Sequence, residues 1–418
     1  MITPQLQRRT VSVLAAGQVL SGIGMGATIA MGAVIAAEMA GEAFSGAAAT
    51  GATLGAAIAS IPLARFALRS GRRAALTLGA LIAAAGSTLT VIATGLGFFP
   101  LLVLSFAALG VGTAVGLQAR FAATDIASDQ HRGRDLSIVV WSTTVGAVVG
   151  PNLFGPGEAV AEALSLPEHT GSFVFAIAAQ ALAALLYFTT LRPDPLHLAQ
   201  HRDRDAPVDP GRVRSRALLV LAIGSIAASH AVMVSVMSMT PVHLTGHGFS
   251  LTLVGLTISL HVAGMYALSP VFGWASDRIG RIPTILFGQA QLAASVIIVA
   301  LGEHSEVAIT VGLILLGTGW SAATVAGAAL VTDLVTGAAR LRVQGRTDTI
   351  MSLAGAAGGA LAGPVLALIG YAGLAWVAGG LVVAVTATVT VIGLRRHAHP
   401  DATVPDAVLP DAAPGPSA

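Results

Sequence analysis

The stretch SHAVMVSVMSM, Ser229 to Met239, holds a histidine and three of the chain's nine methionines inside an apolar run. A second run carries HVAGM, His261 to Met265. Met233 and Met237 are four residues apart, as are His261 and Met265, so each pair shares one face if its run is helical. His230 lies three before Met233, on the same stripe. Thioether sulfur and imidazole are soft to borderline ligands, and methionine selects Cu(I) over harder ions. Two or three such groups would satisfy a monovalent ion without burying a carboxylate, which is costly. The residues alone leave a second reading open, since methionine also fills core gaps and a histidine can bridge two helices.

The elements that must position these groups follow from composition. The chain has 418 residues, of which 55% are hydrophobic and only 10% charged, too few charges to cover a soluble domain of that size. Its apolar residues fall in blocks of roughly 20 or more, the length a helix needs to cross about 30 Å of hydrocarbon. Such runs lie near residues 11–37, 46–68, 74–96, 98–122, 136–157 and 171–191, then 217–241, 250–273, 283–301, 307–331, 349–369 and 371–394. The expectation is an all-α membrane protein of twelve transmembrane helices in two six-helix bundles. Arg8 and Arg9 precede the first run as in a signal peptide, but the run continues to about Ala37 and reads as a retained span. Forty-nine glycines suit close helix contact in lipid. There is no cysteine, which removes disulfide frameworks, zinc–thiolate sites and thiol nucleophiles.

All 22 basic residues are arginine, and all fall on one side of the alternating pattern. By the positive-inside rule that side is the cytoplasm, with both termini there and the protein in the cell (inner) membrane. The opposite connections carry Glu38, Glu42, Glu158, Glu162, Glu168, Glu303 and Glu306, all acidic. Residues 1–191 form the first bundle, 192–216 a proline-bearing linker and 217–395 the second bundle. Residues 396–418, rich in Pro, Ala and Asp, read as a disordered cytoplasmic tail.

The halves repeat. GWASDRIGR (Gly273 to Arg281) and ARFALRSGR (Ala64 to Arg72) occupy matching connections, and GAVVGP (Gly146 to Pro151) matches GALAGP (Gly359 to Pro364). These landmarks resemble the major facilitator superfamily over essentially the whole chain. Gly273, Asp277, Arg278, Gly280 and Arg281 match its Gly-x-x-x-Asp-Arg-x-Gly-Arg loop, which implies a cytoplasmic gate in which Asp277 caps a neighbouring helix, span eleven by family geometry. In the first half Leu68 stands at the aspartate position and Ala64 at the leading glycine, and Phe106 stands where the span-four arginine would be. Gly150-Pro151 and Gly363-Pro364 only partly match the span-five antiporter motif and are read as bends and close contacts.

No span holds a central Asp or Glu, and the ionisable groups well inside the runs are His230 and His261. That argues against a pump for organic cations. MVSVM followed by HVAGM is similar to the paired Met-x-x-x-Met and His-x-x-x-Met motifs of the CcoA-type copper importers, a branch that also includes riboflavin carriers. The resemblance implies copper ligation by Met233, Met237, His261 and Met265, with His230 behind them. His243 and His247, four apart near the outer end of span seven, are candidates for a capture site. The resulting expectation is a secondary transporter working by alternating access and importing copper. The rivals are a carrier of a small organic solute, proton-coupled or not, and a metal-binding receptor or assembly factor that moves nothing. No HExxH pair or serine–histidine arrangement suggests an enzyme. Expected partners are a small solute or metal ion and the bilayer, with no nucleic acid, no bound cofactor and a monomeric state.

Overall fold

The computed structural model describes residues 4–127, 132–200, 212–336 and 339–398, and apart from one isolated bridge between Val213 and Val335 their regular structure is helical. Hydrocarbon offers no hydrogen bonds, so a backbone that crosses it must satisfy its own polar groups, and a helix does so within one segment. Among the described residues, ten helical stretches are long and apolar enough to cross a membrane. In chain order the helices are α1 (Pro4–Gly26), α2 (Ile29–Ala40), α3 (Ala47–Leu96), α4 (Phe99–Asp125), α5 (Arg132–Val149), α6 (Phe154–Ala163) and α7 (Gly171–Thr190). After the short α8 (Pro195–Gln200) come α9 (Arg216–Gly246), α10 (Leu251–Tyr266), α11 (Ser269–Ile279), α12 (Arg281–Leu301), α13 (Glu306–Leu334) and α14 (Ala339–Ala398).

Two of these are too long for one crossing. At 50 residues α3 would extend about 75 Å if straight, and the 60-residue α14 further still. Each contains one glycine whose backbone leaves the helix, Gly71 (φ 87°, ψ 166°) in α3 and Gly370 (φ 73°, ψ −178°) in α14. Divided there, each is long enough for two crossings, which is the difference between the ten stretches and the twelve expected spans. Gly280 repeats the Gly71 conformation at φ 103°, ψ 160° in the matching connection of the second half. A side chain would be strained at either position. Other spans are broken without being divided: α1 from α2 near Ala27, α5 from α6 by a 3₁₀ turn at Gly150–Leu153, and α10 from α11 near Leu268.

Glycine sets how closely the spans approach. A Cβ on Gly22 would meet the backbone of Thr143 at 2.7 Å, and one on Gly150 would meet Ala27 N at 2.7 Å, so α1 and α5 touch backbone to backbone. The linker is anchored at both ends. Leu196 of α8 is buried and the Asp194 carboxylate accepts from Arg73 N at 2.8 Å, while Arg214 N donates to Leu334 O at 2.8 Å. Of the expected disordered tail 396–418, residues 396–398 instead continue α14, and residues 399–418 lie outside the described residues.

Gly71→Val should lower the melting temperature in detergent by several degrees, because it adds strain of about 1–3 kcal/mol. Gly273→Ala, whose Cβ would meet nothing within 4 Å, should leave it unchanged. Thermal unfolding followed by a fluorescent or light-scattering readout separates the two.

Candidate functional site

Both α9 and α10 pack along α13 and touch each other only sparsely. α13 therefore lies against both helices that carry the methionine and histidine pairs. His261 is fully buried, and its Nδ1 donates to the carbonyl of Leu313 on α13 at 2.8 Å. That bond leaves Nε2 as the lone-pair nitrogen, and Nε2 is buried with no hydrogen-bond partner. Such an atom is uncommon in a folded protein and calls for an explanation. Met233 and Met265 lie at 3% and 7% exposure in one apolar cluster that Met237 packs against. Met239 is committed elsewhere, since its sulfur accepts from the Ser45 hydroxyl at 3.0 Å across the two halves.

His230 is held differently. Its Nδ1 accepts from the indole N–H of Trp320 at 3.0 Å, and Gly355 of α14 lies against its other edge. Tyr266 meets Trp320 edge to face at 6.0 Å, so Tyr266, Trp320 and His230 form a continuous aromatic set. His243 is buried, with Nε2 at 2.7 Å from the Glu303 carbonyl and its ring stacked on Tyr371 at 4.3 Å. His247 is exposed and its Nδ1 donates to His243 O at 2.8 Å. The predicted pair thus divides into one packed and one open imidazole. Trp320, Tyr371 and His304, which joins this group, were not singled out from sequence. A lone indole among the small residues of GTGWSAA and a histidine in an acidic connection were the available signals.

Side-chain bonds that cross between the halves, among the described residues, lie toward the acidic connections. Thr50 Oγ1 donates to Ala356 O at 3.2 Å, Asn152 Nδ2 to Ser259 Oγ at 2.7 Å, and Ser259 Oγ to Val148 O at 2.7 Å. The two Gly-Pro motifs sit at this seam, with Pro151 O against Gly255 and Gly363 against Ala43 O. On the arginine side the described ion pairs stay within one half. Arg281 Nε donates to Asp333 at 2.9 Å and the same guanidinium also pairs with Asp277 of its own loop. The side chain of Arg278 is exposed at the end of α11. The first half keeps the contact despite Leu68, for Arg72 forks onto Asp125 at 2.8 and 3.2 Å and also reaches Gln118. Phe106, at the position of the missing span-four arginine, is buried against Gly32 and Gly51. It also lines a cavity of about 20 Å³ with Met25 and Thr113, room for about one water.

The fold and site define a helical membrane carrier of two matching halves, with polar groups between packed spans and ion pairs at one face. The chain belongs to the Major Facilitator Superfamily, whose family model matches residues 14–260 and 221–411. It is 36% identical over 384 residues to the uncharacterized MFS-type transporter YdeG of Bacillus subtilis, covering 90% of this chain and 89% of that one. It is 30% identical to the riboflavin transporter RfnT of Brucella anthropi over 77% of this chain and 80% of that one. In fold it is similar to a mutant of the nucleoside transporter NupG, with TM-score 0.72 at 13% identity over 92% of this chain and 99% of the other. The protein is thus a multi-pass membrane transporter and not an enzyme.

On the acidic face His169 bridges two carboxylates, with Nε2 3.0 Å from Glu38 and Nδ1 3.4 Å from Glu158. Its pKa is raised above 6.5, chiefly by the hydrogen bond to Glu38, and burial only partly opposes this. A raised folded-state pKa contributes stability that is complete below the unfolded value and is lost as pH rises through the folded one. The melting temperature of His169→Gln should therefore fall below that of the wild type near pH 6, with the gap closing as pH rises from 6.5 through the raised value. Melting curves across that range check it, and a gap that widens with pH contradicts it.

Proposed function

We propose that this transporter imports copper, carried as Cu(I), by alternating access of its two halves. The supporting observation is His261. One ring nitrogen is fixed by a backbone carbonyl, while the other is buried and carries an unused lone pair. Imidazoles that bind metals typically have this arrangement, in which the second nitrogen sets tautomer and aim. Met233 and His261 are the central ligands of the proposal, and Met237 and Met265 extend the track in the two directions. Soft ligands suit Cu(I), and neutral ones let a single positive charge pass without a buried counter-charge. Arg281, Arg278 and Asp277 act in the gate on the arginine side and touch no cargo. With the halves joined at the acidic connections, the structure corresponds on this reading to a state closed at that face.

A second reading, a planar organic cargo of the flavin class, has its own support. Tyr266, Trp320 and His230 supply aromatic faces and a hydrogen-bonding edge, and a relative at 30% identity is a riboflavin transporter.

Uptake of copper and of riboflavin should be measured in the same cells expressing wild type, Met233→Ala or His261→Ala at matched membrane abundance. The copper reading expects accumulation by wild type and a loss of about tenfold or more in each variant. Copper uptake at the empty-vector level would overturn it, and riboflavin uptake that survives both substitutions but fails in Trp320→Ala would establish the second reading.

A further inference from the structure

At the acidic face the connection after α9 meets the connection between α12 and α13. His247 comes from the first and His304 from the second, with ring centroids 5.7 Å apart at 40°. Two metal–nitrogen bonds of about 2 Å place the centroids of two imidazoles on one ion roughly 5 to 6 Å apart. We propose that His247 and His304 form a two-nitrogen station for a monovalent soft metal ion, a site distinct from the buried Met/His stretch. The idea that this station feeds the path below it rests on the copper reading above, whereas the station itself does not.

Each part of the arrangement bears on that chemistry. The Nδ1–H of His247 is held by His243 O at 2.8 Å, so Nε2 keeps the lone pair and the ring has a fixed aim. His304 is open, at 76% side-chain exposure, with Nε2 3.9 Å from a Glu303 oxygen, too far to be a hydrogen bond that would consume it. The other Glu303 oxygen accepts from Ala372 N at 2.9 Å, which fixes the carboxylate beside the histidine pair. His243 does not ligate through Nε2, which donates to the Glu303 carbonyl at 2.7 Å, and its ring is stacked on Tyr371.

No group of three or more His, Cys, Asp or Glu side chains able to hold a metal occurs among the described residues. A high-coordinate, tightly held centre is thus not built here. Two neutral imidazoles instead match a d¹⁰ monovalent ion, which accepts two soft or borderline ligands and exchanges readily. A station that must pass its ion onward needs that lability. Charge favours the location too, since the connections on this face carry glutamate and no arginine, which raises the local cation concentration. Measured along α9 and α10, the connection lies roughly 20 Å above Met233 and about 15 Å above His261.

The test uses the full chain purified in detergent with a tag free of histidine, titrated with silver(I), a redox-stable monovalent probe, against a chromophoric chelator. His304→Gln and His247→Ala should each lose the same single equivalent, or weaken it by about tenfold or more. His261→Ala should retain that equivalent. Because His304 is mostly exposed, its variant should melt as the wild type does and carries the test even where His247→Ala unfolds. If His304→Gln binds silver as the wild type does, the station is wrong. If His304→Gln loses the equivalent while wild-type cells accumulate no copper, the station stands and the cargo reading falls. If copper is the cargo, His304→Gln should also raise the copper concentration for half-maximal uptake several-fold.

Discussion

Hydrocarbon cannot hydrogen-bond, and nearly every feature of this chain follows from that constraint. It forces the crossings into helices and keeps arginine to one side. Each polar atom left within a span must also find an internal partner. Most do. Thr90 bonds Ser105 at 2.8 Å, Gln289 bonds Ser229 at 2.7 Å, and Thr240 bonds Tyr371 at 2.6 Å. His261 Nε2 is one of the exceptions, its ring anchored through one nitrogen and the other left idle.

The same solvent removes the hydrophobic drive between helices, so contact must come from close packing. Glycine serves that end, and its distribution explains which seams are tight. Backbone contact at Gly22 and Gly150 binds α1 to α5 within the first half. Gly255 on Pro151 and Gly363 on Ala43 join the halves near the acidic connections. Both kinds of seam thus rest on backbone brought against a glycine.

Much of this was legible in the sequence, and the reason is physical. Span length, arginine placement and the internal repeat are one-dimensional records of a bilayer, so the helical architecture and the two halves could be read directly. The partner of His261 could not, because a backbone carbonyl on another helix leaves no mark in residue identity. The same holds for His247 and His304, which come from different connections and meet only when α9, α12 and α13 are packed. Leu68 stands at the aspartate position of the first-half loop, yet Arg72 pairs with Asp125 at the end of α4, a residue too far along the chain to enter a local motif.

That substitution also shows how the two halves have diverged. Arg72 with Asp125 and Arg281 with Asp333 are the same device at matching positions, set beside glycines of the same left-handed backbone. In the first half both partners are 12% exposed, whereas in the second they are 25% and 52% exposed, with Asp277 sharing the same arginine. A buried forked pair resists separation, while a solvated and shared one exchanges partners at little cost. The first half therefore has the more rigid arginine-side contact and the second the more adaptable one. The second half also holds His230, His243, His247, His261 and His304, while His169 belongs to the first. The arginine-side contact is thus rigid in one copy of the six-helix unit and adaptable in the other.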